Sequence, residues 1–420
     1  MKVLWFTLTP SLYKTTTNHP YFGGGWIESL QKIIETDNNI DLAIAFFHSD
    51  KVFKAKQGAT IYYPISIREG ILNKIRNNLF LNRSDRKEVD YFHQIINDFN
   101  PDLIQVFGSE RSFGLLCKSV KVPIVLHVQG LINPYFNSYF IPGMSKFDFL
   151  LRNDTGILRI IYNFHTLRLW KHACNREKLI LSSCKYFLGR TNWDKALTSL
   201  YSPDSTYFYC SEILREVFYQ NTWGKNRDKQ FIIATTISKV SYKGFDLVLK
   251  TAKLLKEFTG IDFEWRVFGI NSYRFMENET KISAKSVNIK YCGVLSSSKL
   301  CDELLDADVF INTSYIDNSP NSVCEAQILG MPVISTNVGG IISLIVNDEN
   351  GILVPANDPW TLCSCIKQIF NEPEYAFKLG EKSRQIALSR HDKGRIEQDL
   401  RKAYSLILEK HINIVDFKNN

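Results

Sequence analysis

Cysteines at metal-ligand or redox-motif spacing are missing from this sequence. Its nine cysteines are odd in number, scattered from Cys117 to Cys365, and nowhere form a C-x-x-C. That spacing argues for reduced cytosolic thiols and against a disulfide framework or a zinc site. No apolar run approaches the length of a membrane span, which excludes an expected transmembrane helix. The opening Met1–Leu8 is too short for a signal-peptide core and lacks a small-residue cleavage site. The dinucleotide fingerprint G-x-G-x-x-G is absent, because the glycine-rich turn Gly23-Gly24-Gly25 has the wrong spacing. No helix-turn-helix, zinc or RNA-binding signature accompanies the basic residues, so no nucleic-acid partner is expected. The absences leave a cytoplasmic protein, soluble or peripheral on the inner face of the membrane.

What is present is ample apolar content, 45% with 13% aromatic, in 420 residues. That suffices for two ordinary domains and argues against disorder. The net charge of +8 is uneven: residues 1–220 hold 26 Lys and Arg against 19 Asp and Glu, and the rest 25 against 24. Residues 51–87 alone carry 9 basic and 2 acidic side chains, and 151–178 form a second basic and apolar stretch. A basic first half suits an anionic partner, such as a bilayer or a lipid-diphosphate acceptor.

The most informative stretch runs from Ser314 to Gly340. Val309-Phe310-Ile311 suits a buried parallel strand. Asp317-Asn318-Ser319-Pro320-Asn321-Ser322 is dense in turn formers, Val323–Leu329 reads as a helix stopped by Gly330, and Val333-Ile334-Ser335 as the next strand. Asp317 and Glu325 therefore stand at the carboxyl edge of a parallel sheet, where open α/β folds bind ligands. The N–H groups opening the helix favour an anion such as a phosphate.

This pattern of two acids eight positions apart, followed by Ala326, Gly330-Met331-Pro332-Val333-Ile334 and Gly339-Gly340, resembles the donor site of retaining GT-B glycosyltransferases of the group-1 (family 4) type. Asn318-Ser319-Pro320-Asn321-Ser322 is similar to the branch common among bacterial surface-polysaccharide transferases. The resemblance implies an α/β fold of two Rossmann-like domains facing a cleft. Residues 1–220 would form the acceptor domain, 221–395 the donor domain, and 396–420 a helix crossing back to the first, and the polar run 221–228 reads as the linker. It implies that Glu325 binds the ribose of a nucleoside diphosphate sugar and Asp317 the transferred sugar. Loop groups at Asn318, Ser319, Asn321 and Ser322 would meet the sugar and diphosphate. Two departures stand out: Asp317 where Glu is usual, and Pro320, which removes an N–H where a loop Gly is frequent.

Other positions follow from the same resemblance. Gly24 and Gly25, in the turn between the first strand and helix, would face the diphosphate, and glycine there lets backbone approach a ligand closely. Relatives place an Arg where this chain has Ser238, so Lys243, with help from Lys239, would neutralise the diphosphate. Val294 lies in the loop that would contact the base through backbone groups. On the acceptor side the candidates are Glu110, His127 and Gln129, the last standing where many relatives carry His. Relatives need no metal, no D-x-D stands where one would be held, and no cofactor is expected beyond the nucleotide-sugar substrate. The expected reaction is retaining transfer of a hexosyl-type sugar to a hydroxyl of a glycan or polyprenyl-diphosphate-linked glycan, in capsule, O-antigen (lipopolysaccharide) or exopolysaccharide synthesis. A non-catalytic nucleotide-sugar-binding subunit, a sugar-nucleotide epimerase of the same fold and a nicotinamide-dependent oxidoreductase remain as rivals, the last weakened by the missing fingerprint.

Overall fold

The four consecutive residues Val3–Phe6 of the first strand are large and apolar, and both of its faces are covered. Val3 and Trp5 are buried in one core cluster, Leu4 and Phe6 in another. Alternate strand residues point to opposite faces, so this strand lies inside a sheet with helices on both sides. The computed structural model describes residues 1–14, 25–37, 39–66, 81–151, 157–224 and 230–419. These fall into two compact units.

The first unit comprises residues 1–133, 164–213 and 392–420. Its strands are β1 (Lys2–Thr7), β2 (Asp41–Phe47), β3 (Ala55–Gln57), β4 (Thr60–Ile65), β5 (Leu103–Phe107), β6 (Ile124–His127), β7 (Tyr186–Gly189) and β8 (Thr206–Tyr209). They are ordered β3-β4-β2-β1-β5-β6-β7-β8. Only the β3–β4 pairing among these is antiparallel. One face carries α1 (Gly25–Ile34), and the other carries α2 (Leu81–Phe99), a 3-10 segment (Ser112–Lys118) and the C-terminal part of α3 (Ile157–Leu181).

The C-terminal helix, Lys393–Asn419, belongs to this unit and lays Ile396, Leu400, Tyr404 and Ile407 onto the Trp5 face. A chain of buried hydrogen bonds ties it to the sheet. Trp5 Nε1 donates to Tyr404 Oη (3.1 Å), the Tyr404 hydroxyl donates to Gln105 Oε1, and Gln105 Nε2 faces His127 Nδ1 at 3.1 Å.

The second unit comprises residues 134–163 and 214–391. Its strands are β9 (Phe231–Thr236), β10 (Phe263–Phe268), β11 (Ile289–Gly293), β12 (Val309–Asn312), β13 (Val333–Thr336) and β14 (Ile352–Val354). All are parallel, in the order β11-β10-β9-β12-β13-β14. From β9 the chain runs first toward β10 and later returns on the other side as β12. The gap between the loops after β9 and β12 is therefore the topological switch point, where open parallel sheets place ligands. These two loops precede α4 (Phe245–Phe258) and α5 (Asn321–Leu329).

Four features differ from the sequence expectation. Residues 134–163, expected in the first domain, group with the second, because Ile141 and Met144 are buried in its core. Residues 214–220 also join the second unit and 392–395 the first. The polar run 221–228, expected as a linker, starts anchored: Trp223 is buried, its N donating to Leu329 O (2.7 Å) and its Nε1 to Ala307 O (2.8 Å). Residues 225–229 lie outside the described ones. Finally, Cys117 and Cys184 form a disulfide with Cα atoms 5.5 Å apart. They are 67 residues apart in sequence, and the parallel pairing of β5, β6 and β7 brings their segments together. The other seven cysteines are free.

The Trp5–Tyr404–Gln105 chain makes a direct prediction. Tyr404→Phe strips the buried partners of Trp5 Nε1 and Gln105 Oε1, and should lower unfolding free energy by about 1–3 kcal/mol. Urea denaturation followed by tryptophan fluorescence measures it, and an unchanged midpoint would show that the chain contributes nothing.

Candidate active site

Helix α5 is apolar almost all round and buried from Val323 to Leu329, so it sits inside its unit rather than on the surface. Glu325 lies in this buried stretch with 2% of its surface exposed. A carboxylate there needs a cation. Arg215 supplies one: its Nε and Nη2 donate to Glu325 Oε1 and Oε2, both at 2.7 Å, in a bidentate fork. Burial pushes the Glu325 carboxyl above its usual range, and Arg215 partly offsets this. The guanidinium also stands 4.9 Å from the Phe218 ring centroid. Arg215 was not legible as a site residue, because 110 positions separate it from its partner.

The loops after β9 and β12 interlock at Gly244. Its φ of +70° suits glycine, and a Cβ there would lie 2.0 Å from the Thr313 carbonyl oxygen. The close approach lets Thr313 Oγ1 donate to Lys243 O (3.0 Å) and Tyr315 N to Tyr242 O (2.7 Å). It brings Lys243 Nζ to 2.6 Å from Asp317 Oδ2. Asp317, 5% exposed, also accepts from Ser314 Oγ (3.0 Å) and the Asn318 N–H (3.2 Å). The structure therefore places Lys243, Asp317 and Glu325 on the two loops and the helix that flank the switch point. Lys243, expected on a diphosphate, is paired here with the carboxylate expected on the sugar.

The remaining candidates of this unit surround that centre. Asn318 and Ser319 are buried in the loop, while Asn321 and Ser322 form the half-buried first turn of α5. Ser238 and Lys239 are exposed just past β9. Val294 is 59% exposed just past β11.

In the first unit, Gly25 opens α1, and Gly24 lies outside the described residues. Strand β6 ends at His127, so Gln129 lies beyond it and strand alternation does not set its direction. His127 is fully buried, with Trp26 and Phe107 ring centroids at 5.2 and 5.5 Å. Its Nε2 has no hydrogen-bond partner among the described residues. Burial, with the Arg190 charge, pushes its pKa down to about 3, so the imidazole is neutral. Arg190, unforeseen in the sequence, is ion-paired with Glu212 and donates from Nη2 to Gln129 O (3.1 Å).

Glu110 follows β5, across the first unit's switch point from β1. Its Oε2 is buried without a hydrogen-bond partner among the described residues, and lies 1.8 Å from where a Gly108 Cβ would stand. Gln129 Cγ is 3.2 Å from that same point, so Glu110 and Gln129 converge on Gly108. Burial first, then the Glu177 carboxylate, raise the Glu110 pKa to about 7. Glu177 itself is satisfied by Ser109 Oγ (2.5 Å), the N–H groups of Ile132 (2.7 Å) and Asn133 (2.8 Å), and Asn133 Nδ2 (2.7 Å). Glu110 can therefore hold or release a proton near neutrality.

Two measurements follow. Between pH 4.5 and about 7 the folded chain holds one proton more at Glu110 than the unfolded chain. That contribution to stability falls as pH rises through this window, by on the order of 3 kcal/mol. Glu110→Gln should flatten this slope in urea denaturation at pH 5 and pH 8; equal slopes in both proteins would refute the assignment. Arg215→Met leaves Glu325 buried without its fork and should lower stability by about 1–3 kcal/mol, with Arg215→Lys recovering only part of the loss.

Comparison with known proteins bears on the family and the fold. Residues 220–386 match the model of the family Glycosyl transferases group 1. The chain is 32% identical over 124 residues to a putative colanic acid biosynthesis glycosyltransferase, WcaL, of Escherichia coli (strain K12), a match covering 28% of this chain and 30% of that protein. It is 22% identical over 331 residues to N,N'-diacetylbacillosaminyl-diphospho-undecaprenol alpha-1,3-N-acetylgalactosaminyltransferase of Campylobacter jejuni, covering 77% of this chain and 82% of that one. The fold is shared with a sucrose-phosphate synthase from Thermosynechococcus elongatus, with a TM-score of 0.72 at 14% identity over 97% of this chain and 99% of the other. Residues 220–386 are a group 1 glycosyltransferase domain, and the chain has the GT-B fold.

Proposed function

We propose that this chain is a retaining, metal-independent glycosyltransferase moving a hexosyl-type sugar from a nucleoside diphosphate sugar to a hydroxyl. The observation that carries the reading is the Lys243–Asp317 pair beside buried Glu325 at the switch point of the second unit. Glu325 accepts the ribose hydroxyls and Asp317 those of the transferred sugar. The bond from the anomeric carbon to the diphosphate breaks, and the acceptor oxygen bonds that carbon on the same face. The acceptor proton goes to the departing diphosphate. Lys243 and the N–H groups of Asn321 and Ser322 at the α5 N-terminus meet the developing negative charge. Ser238, Lys239, Asn318, Ser319 and the backbone at Val294 complete the donor contacts. Glu110, Gln129 and His127 serve the acceptor, with Glu110 the group able to exchange a proton.

The roles of the two relatives, in colanic acid biosynthesis and on a diphospho-undecaprenol-linked sugar, support a glycan or polyprenyl-diphosphate-linked glycan as acceptor in surface polysaccharide synthesis. No described helix is long and apolar enough to cross a membrane. With a lipid-linked acceptor the chain would work at the inner face of the cytoplasmic membrane.

The test is release of nucleoside diphosphate from UDP-, GDP-, ADP- and TDP-sugars with chelator present, with the anomeric configuration of the product read by NMR. One donor should be turned over, and Glu325→Gln and Lys243→Ala should each reduce kcat/KM by about 10²–10³. Donor binding without turnover in the presence of acceptor glycans would make the chain a binding subunit, and inverted product would refute retention.

A further inference from the structure

A cavity of about 990 Å³ in the first unit has none of Lys243, Asp317 and Glu325 in its lining. Its walls are the start of α2, the end of the 3-10 segment and the middle of α3. The Cys117–Cys184 disulfide joins the 3-10 wall to the chain just past α3. Five cations line it: Arg86, Lys118, Arg168, Lys171 and Arg176. The lining carboxylate is Asp85, which accepts from Arg176 Nη1 and His172 Nε2, both at 2.9 Å. That internal pairing fixes Arg176, whose Nη2 reaches Glu110 O at 2.5 Å. Arg86, Lys118 and Lys171 stay exposed at the rim, without a carboxylate partner among the described residues. The rest of the wall carries Leu81, Val89, Leu115 and Leu179 together with the polar Ser119 and Asn175.

We propose that this cavity binds a phosphate group carried on an apolar chain. Charge decides for phosphate: lining cations exceed carboxylates by four, more than a single carboxylate ligand would match, whereas a phosphate monoester carries about −1.5 to −2. Guanidinium and ammonium groups together suit phosphate oxygens, the first by its planar fork and the second as a point charge. Size and the leucine–valine wall decide for an apolar carrier, because a phosphate alone would leave most of the volume and all of that wall unused. The site does not depend on the sugar-transfer reading. A lipid headgroup in a bilayer and a soluble phosphate ester share this chemistry.

The experiment uses the full chain and two probes. Isothermal titration with dihexanoyl phosphatidic acid, below its micelle concentration, should show binding that Lys118→Gln/Lys171→Gln weakens at least tenfold, and that Arg86→Gln weakens independently. All three positions are exposed, so folding should be retained, as circular dichroism would show. Dihexanoyl phosphatidylcholine should bind at least tenfold more weakly than the phosphatidic acid. Co-sedimentation with phosphatidylglycerol vesicles separates the sources. Loss of vesicle binding in the double variant identifies a membrane headgroup, and retained vesicle binding with lost titration identifies a soluble ester. Equal binding of phosphatidic acid by wild type and both variants would overturn the site. Inorganic phosphate binding as tightly as phosphatidic acid would overturn the apolar half of the proposal.

Discussion

The second unit turns on an approach of backbone to backbone that only a residue without a Cβ allows. At Gly244 the Thr313 carbonyl occupies the space a side chain would need. With that space free, the loop after β9 and the loop after β12 exchange hydrogen bonds through Thr313, Tyr315, Tyr242 and Lys243. The Lys243 ammonium is thereby delivered to the Asp317 carboxylate. Any side chain at residue 244 would separate the loops and with them the two charges, since interiors this dense do not yield an ångström without cost. The neighbouring Glu325–Arg215 fork obeys a second constraint, that a carboxylate on a buried helix must be matched by a cation. Both carboxylates of the candidate site are thus paired with a cation.

The first unit has a comparable chain of dependence. The C-terminal helix is held to the centre of the sheet by apolar burial and by Trp5, Tyr404 and Gln105, and Gln105 in turn faces His127. A contact 299 residues apart in sequence therefore sets the orientation of Gln105. The same low-polarity surroundings keep the His127 imidazole neutral and raise Glu110 toward neutrality, in opposite directions on the pKa scale but for one reason, the cost of charge in a buried place. Of these two, Glu110 is suited to proton exchange and His127 to a fixed neutral role.

Much of the fold was legible because buried parallel strands are short, continuous and apolar. The strand expected over Val309–Ile311 is observed as Val309–Asn312, and the helix expected over Val323–Leu329 extends from Asn321. Asp317 and Glu325 could be placed at a sheet edge because their loop and helix follow a strand, and loops after parallel strands share one edge; Lys243 was named through the family resemblance alone. Arg215, Arg190 and Glu177 were not, because each acts on a partner from a different strand–helix unit, and a solitary Arg or Glu has no local pattern. The grouping of residues 134–163 with the second unit was hidden for a related reason: Ile141 and Met144 look like any apolar pair until the core they enter is known.

By itself the sequence determined the class of architecture, the glycine turns and the positions of the two acids and the lysine, since backbone conformation and strand burial are dictated by local residue type and spacing. Only the tertiary structure decided which charges meet. Ion pairing depends on through-space distance, and residues 74 and 110 positions apart, Lys243 with Asp317 and Arg215 with Glu325, become neighbours only when β9 and β12 lie side by side. The disulfide of Cys117 with Cys184 was settled in the same way, because covalent reach is a property of folded geometry and not of cysteine spacing.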